Sequence, residues 1–142
     1  MEIQINTDGG ARGNPGPAAA AFVAKDENKE TLMEKGVYLG ETTNNVAEYN
    51  GLLLAYTWLI KTYEVHKFSA VNIVMDSELI VKQMRGEYQV KKETLKSLYE
   101  KVKKCQEILE HKRVEITYTA VIRKFNKAAD SLVNKTLDEN VK

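Results

Sequence analysis

Asp8, Glu48, Asp76 and Asp130 are the residues of this chain whose type and setting could do chemistry. Asp8 follows Ile3-Gln4-Ile5-Asn6-Thr7 and precedes Gly9-Gly10, while Glu48 closes Thr42-Thr43-Asn44-Asn45-Val46-Ala47. Asp76 follows Val71-Asn72-Ile73-Val74-Met75, and Asp130 closes Asn126-Lys127-Ala128-Ala129. Each lies where a strand should end or a helix begin. Four carboxylates brought together repel one another, and hard divalent cations relieve that repulsion because they take oxygen ligands. Two Mg²⁺ ions held about 4 Å apart in such a cluster activate a water and stabilise a leaving oxygen, the equipment for cutting a phosphodiester. Singly, each acid has an ordinary reading in a turn or a first helical turn; together, at the ends of converging elements, they point to a site. The chain offers no Ser/His/Asp or Cys/His set as an alternative nucleophile.

The elements that must position these acids can be read from hydrophobic periodicity. Residues 2–8 alternate around Ile3 and Ile5 as a strand. Residues 9–17 hold four of the chain's eight glycines and both prolines, which predicts a turn. Strands follow over 18–24 and 31–39, separated by the polar turn Asp26-Glu27-Asn28-Lys29, so the first three strands form an antiparallel meander. Thr43 or Asn44 can cap a helix from about Asn45 to Tyr63, which places Glu48 in its first turn. A buried strand over 71–75 leads through a Ser77 cap to a short helix over 78–84, ended by Gly86. Leu95, Leu98, Val102, Cys105 and Leu109 make one stripe of a helix over 92–110. A strand over 114–119, a loop through Arg123 and a helix over 126–137 complete the chain, and residues 138–142 read as a polar tail that frays.

A strand, a crossover helix and another strand imply a parallel pair joined to the meander. The expected fold is α/β, a mixed five-stranded sheet flanked by helices. In it, Asp8 and Asp76 emerge at the same carboxyl edge, where sheets of this class place their sites. Glu48 and Asp130 need only helices that start at that edge.

The 142 residues suit one domain, expected over 1–137. Net charge is +1, which neither favours nor excludes a nucleic-acid partner, since distribution outweighs the sum. The single cysteine, Cys105, forms no internal disulfide and belongs to no zinc spacing. With no leader-like or membrane-spanning apolar run, the expected compartment is the cytoplasm.

The stretches Thr7 to Gly16, Thr42 to Glu48, Met75 to Gln83 and Arg123 to Leu132 resemble type 1 ribonuclease H, in order and over nearly the whole chain. The resemblance implies an RNA–DNA hybrid as partner and endonucleolytic cleavage of its RNA strand, leaving 5′-phosphate and 3′-hydroxyl ends. It implies Mg²⁺ as cofactor, two ions per site, with Mn²⁺ as a substitute, and a monomeric enzyme. Asp8, Glu48, Asp76 and Asp130 match the family's catalytic, metal-binding carboxylates, with Glu48 close to a substrate 2′-hydroxyl. Asn14, Asn44 and Asn45 match positions facing the hybrid's minor groove, where an amide suits hydroxyls and base edges. Gly9 lets the backbone approach the strand, and Thr43 and Lys91 match contacts to DNA-strand phosphates.

The chain also departs from the family pattern. The loop before Asp130 lacks the histidine that assists turnover in many members; the two histidines, His66 and His111, lie elsewhere. Arg123 is the candidate replacement, able to hold a phosphate but not to shuttle a proton. Glu78 stands where a glutamine is common. The stretch Arg85 to Lys91 is too short for the basic handle of some members, and no separate hybrid-binding domain is expected before Met1. Three competing readings are a non-cutting hybrid-binding module, a nuclease for duplex DNA or junctions, and a structural domain. The intact acids oppose the first and third, and the asparagines oppose the second.

Overall fold

The computed structural model describes residues 1–141. Strands β1 (Glu2–Ala11), β2 (Gly16–Lys25) and β3 (Thr31–Thr42) form the meander, followed by α1 (Asn44–His66) and β4 (Ala70–Met75). Then come α2 (Glu78–Met84), α3 (Glu93–His111), β5 (Glu115–Ala120), a 3-10 turn over Arg123–Phe125 and α4 (Lys127–Asn140). The five strands form one sheet in the order β3-β2-β1-β4-β5. β1 pairs antiparallel with β2 and parallel with β4, and β4 pairs parallel with β5. The mixed five-stranded sheet expected from the sequence is present.

Helices cover both faces. α1 lays Leu52, Ala55, Tyr56 and Leu59 on Ile3, Ile5, Phe22, Val71 and Ile73, and α3 joins this core through Leu95, Val102 and Leu109. On the opposite face, Val133 and Leu137 of α4 pack on Ala19 and Ala21. Residues Ala18 to Ala21 of β2 are all fully buried. Their small side chains let a helix lie close on each side of the strand.

Several boundaries differ from the sequence reading, and three of them bear on the site. Gly9, Gly10 and Ala11 belong to β1 rather than to a turn, because they pair with Ala20, Ala19 and Ala18 of β2. Gly9 serves close packing between layers and not chain reversal. α1 begins at Asn44, with the Thr43 hydroxyl accepting the Val46 N–H, so Glu48 lies just beyond the first turn. α4 continues to Asn140 instead of fraying at 138. Asp138 there pairs with Arg12 at 2.6 Å, and the Val141 N–H donates to Leu137 O at 2.8 Å. The last residue of the expected tail, Lys142, lies outside the described residues.

Candidate active site

The parallel register explains why Asp8 and Asp76 meet. Asn6 stands opposite Val74 in the β1–β4 pair, and extending that register by two residues sets Asp8 beside Asp76. Alternation along β1 puts Asp8 and Gly10 on the α4 side and Gly9 on the α1 side. Gly9 lets α1 come down onto the strand: a Cβ there would lie 2.3 Å from the Ala47 carbonyl carbon and 2.5 Å from the Glu48 nitrogen. That contact brings Glu48 to the same edge. One carboxylate oxygen each from Asp8, Glu48 and Asp76 lies within 4.8 Å of the others. Asp130 stands outside this triplet but lines the same groove, close enough that its charge acts on both Asp8 and Asp76.

The electrostatics of the cluster are those of acids removed from water without a counter-ion. Burial, reinforced by the Asp76 charge, pushes the Asp8 carboxyl up to about 8. Burial likewise pushes Glu48 up to about 7, again with Asp76 adding to the effect. Asp76 is also raised, chiefly by burial, with Arg123 pulling in the opposite direction. An all-oxygen, partly buried donor set held at such proton affinity fits a hard divalent cation, whose binding would displace the protons.

Folded, metal-free protein holds protons on Asp8 to about pH 8 and on Glu48 to about pH 7, whereas the ordinary values are 3.8 and 4.5. The folded state therefore binds more protons than the unfolded chain across that interval, and stability must fall as pH rises through it. Thermal melts in EDTA are expected to drop steadily between about pH 5 and 8, and millimolar Mg²⁺ at pH 8 is expected to reverse most of the drop. A melting temperature that is flat or rising in EDTA would contradict these proton affinities.

Asn126 is a positioning residue that sequence reasoning treated only as the start of a helix. It is fully buried, its side-chain amide donates to Thr7 O at 2.9 Å, and its Oδ1 accepts from Asn6 Nδ2 at 2.9 Å. It thereby ties the start of α4 to the strand residue preceding Asp8. The signal in the sequence was an amide four residues before Asp130, with no charge or aromatic to mark it. Arg12, Val133, Asn134 and Leu137 also line the groove without having been singled out. The three from α4 recur at helical spacing with Asp130, so the helix forms a wall of the groove.

The remaining expected site residues fall into two groups. Gly9 and Asn44 line the groove. The bare side of Gly9 is occupied by α1. Asn44 accepts the Ala11 N–H at 2.8 Å, and Asn14 accepts the Asn44 N–H at 3.1 Å, so these amides brace the β1–β2 loop against the helix start. Asn14, Thr43 and Asn45 flank the groove without lining it, and Lys91 is exposed in the α2–α3 connection. Arg123 lines the groove, with its Nη2 donating to Asp130 Oδ1 at 3.0 Å. Glu78 is engaged by Lys82 at 3.0 Å, His66 stacks on Trp58, and His111 ends α3.

A mixed sheet of this strand order, with helices on both faces and an acidic groove at the edge where β1 and β4 end, defines a ribonuclease H-like protein. A family model described as reverse transcriptase-like matches residues 6–136. A bifunctional protein of Mycobacterium tuberculosis is 37% identical over 139 residues, 97% of this chain and 36% of the relative. The chain thus spans about a third of the length of the curated relatives it matches first. The structure of the N-terminal RNase H domain of that protein, fused to maltose-binding protein, superposes with a TM-score of 0.87 at 34% identity, covering 97% of this chain and all of the other. LC11-RNase H1, obtained from compost by a metagenomic approach and solved in complex with an RNA/DNA hybrid, gives a TM-score of 0.86 at 44% identity over 99% of both chains. A ribonuclease HI of Halobacterium salinarum is 33% identical over 93% of this chain and 62% of the relative. The chain belongs to the ribonuclease H family. Among the described residues, no helix is long and apolar enough to cross a membrane.

Proposed function

We propose that this chain is an endoribonuclease that cuts the RNA strand of RNA–DNA hybrids by two-metal-ion hydrolysis, leaving 5′-phosphate and 3′-hydroxyl ends. The observation that carries the reading is the convergence of Asp8, Glu48 and Asp76 in one groove, within 4.8 Å of one another, with Asp130 on its wall. When bound there, two Mg²⁺ ions, with Mn²⁺ as a substitute, would activate a water and stabilise the leaving oxygen. Asp8 and Asp76 would hold the cations from adjacent strands, Asp8 from within β1 and Asp76 from just past the end of β4. Glu48 would hold them from α1 and lie nearest a substrate 2′-hydroxyl, and Asp130 would complete the set from α4. Asn14, Asn44 and Asn45 cluster where the β1–β2 loop meets the start of α1, a placement that suits reading a minor groove. Gly9, Thr43 and Lys91 complete the proposed substrate contacts. The same reading has the chain acting as a cytoplasmic monomer, in keeping with its single free cysteine.

Arg123 takes the place of a loop histidine in this scheme. Its guanidinium is anchored by Asp130 and stays charged at any working pH, so it can hold a phosphate but cannot relay a proton. Arg123→Ala is expected to lower kcat about tenfold, the loss of one charge-assisted hydrogen bond. Complete inactivity of a folded variant would contradict this positioning role.

The direct test incubates the purified chain with labelled RNA–DNA hybrid, duplex RNA and duplex DNA in Mg²⁺, Mn²⁺ or EDTA. Metal-dependent cutting of the hybrid's RNA strand alone is the expected result. Binding of the hybrid without cutting in either metal would sink the proposal.

A further inference from the structure

The groove floor is acidic, so a polyanionic substrate needs cations on its walls. Two cationic side chains line the groove, Arg12 and Arg123, and an α4 carboxylate holds each of them. Asp130 takes Arg123 at 3.0 Å, and Asp138 takes Arg12 at 2.6 Å. These acids sit two helical turns apart, about 12 Å along the axis. The first pair belongs to the site already described. The second does not: Arg12 and Asp138 have no part in the metal cluster.

Several features make the Arg12 contact exchangeable. The side chains of Arg12 and Asp138 are 41% and 69% exposed, and a solvated ion pair of this kind adds little to stability. Both contacts of the guanidinium, to Asp138 Oδ1 at 2.6 Å and Asn134 O at 3.4 Å, use Nη2. The rest of the fork can therefore engage two oxygens of a phosphate side by side. The backbone beneath it is fixed, because the Arg12 N–H donates to Pro17 O at 2.8 Å and the Ala11 N–H to Asn44 Oδ1 at 2.8 Å. The side chain can change partner while its base stays in place.

We propose that Arg12 is a phosphate-binding residue of the groove, and that Asp138 occupies it in the free protein as a built-in competitor for a nucleic-acid phosphate. The inference rests on the hybrid reading of the site. Substrate binding exchanges one carboxylate for one phosphate, and the last turn of α4 loses its tether to the β1–β2 loop as this happens.

The test is fluorescence anisotropy with a labelled RNA–DNA hybrid, on an Asp8→Asn background so that the probe survives, at several salt concentrations. Asp138→Asn is expected to tighten binding about threefold, as removal of an exposed ionic competitor should. Arg12→Ala is expected to weaken binding and to reduce the salt slope by about one. In the Arg12→Ala background, Asp138→Asn is expected to change nothing. A brace with only a structural role gives the opposite pattern: Asp138→Asn would leave binding unchanged or weaken it, or would act equally without Arg12, and either result overturns the proposal. If Asp138→Asn proves too unstable to assay, Asp138→Ser is read by the same criteria. Absence of hybrid binding by every variant overturns the reading of the substrate itself, and this inference with it.

Discussion

Asp8→Asn is expected to abolish hybrid cleavage, lowering kcat by at least about a thousandfold, while raising the stability of the metal-free protein at pH 8. The two effects share one cause. Asp8 is 5% exposed and sits beside Asp76, and its charged form is disfavoured enough to lift its carboxyl to about 8. That disfavour is the driving force for taking up a cation, because a divalent ion replaces a costly buried repulsion with an attraction. Asparagine keeps the shape and the carbonyl oxygen but removes the charge. A cation then loses its most buried ligand, and a loss of about 4 kcal/mol in transition-state stabilisation corresponds to the thousandfold deficit. Without metal, the same change removes the repulsion, and the folded state gains on the order of 2 kcal/mol at pH 8. The gain should vanish below about pH 3, where Asp8 is protonated in both states. Melts of both proteins in EDTA across this range, with cleavage assays in Mg²⁺, check the pair of effects. A variant that is inactive and also less stable at pH 8 would mean that Asp8 is a fold residue and not a strained ligand.

The sequence showed the acids and their elements plainly and showed how the layers touch poorly. Asp8 and Asp76 were legible because each follows a strand-like stretch, and two antiparallel reversals followed by a crossover helix leave the two stretches parallel. That both reach the same depth depends on the register, Asn6 against Val74, which no local pattern encodes. Glu48 was placed one residue too early in the helix because Thr43 and Asn44 are both good caps, and only the hydrogen bond from Val46 to Thr43 decides between the resulting starts. Asn126 was invisible as a clamp, since its partners lie 119 and 120 residues away. The end of α4 was misread for a similar reason. Asp138, Glu139 and Asn140 look like a solvated tail, yet Asn140 Nδ2 donates to Thr136 O at 2.8 Å and Asp138 pairs with a residue near the other end of the chain. Polar composition signals exposure, and exposure is compatible with a helix that lines a groove.

Gly9→Ala is expected to damage both fold and activity, and the neighbouring Gly10→Ala neither. The two glycines are adjacent on one strand and face opposite layers. A Cβ on Gly10 would find only Val133 Cγ1 at 3.9 Å, an ordinary contact. A Cβ on Gly9 would lie 2.3 Å from both the carbon and the oxygen of the Ala47 carbonyl. Those are backbone atoms of a helix whose neighbouring residues Ala47, Tyr49 and Leu52 are fully buried, so no side chain can swing aside. The strand and α1 must separate instead, at a cost on the order of 3 kcal/mol, at the upper end for overpacking a core. The separation acts directly on the site, because Gly9 follows Asp8 and Ala47 precedes Glu48. Moving the two backbones apart widens the spacing of the two carboxylates that a cation must bridge. A displacement near 1 Å in such a constellation costs about a hundredfold in rate. Chemical denaturation and steady-state cleavage of both variants separate the contributions. Gly10→Ala should melt and cut like the parent, and Gly9→Ala should lose stability and retain about a hundredth of the activity even under conditions where it is fully folded. If Gly9→Ala recovers full activity once folded, then the close approach of α1 to β1 stabilises the protein without setting the geometry of the carboxylates.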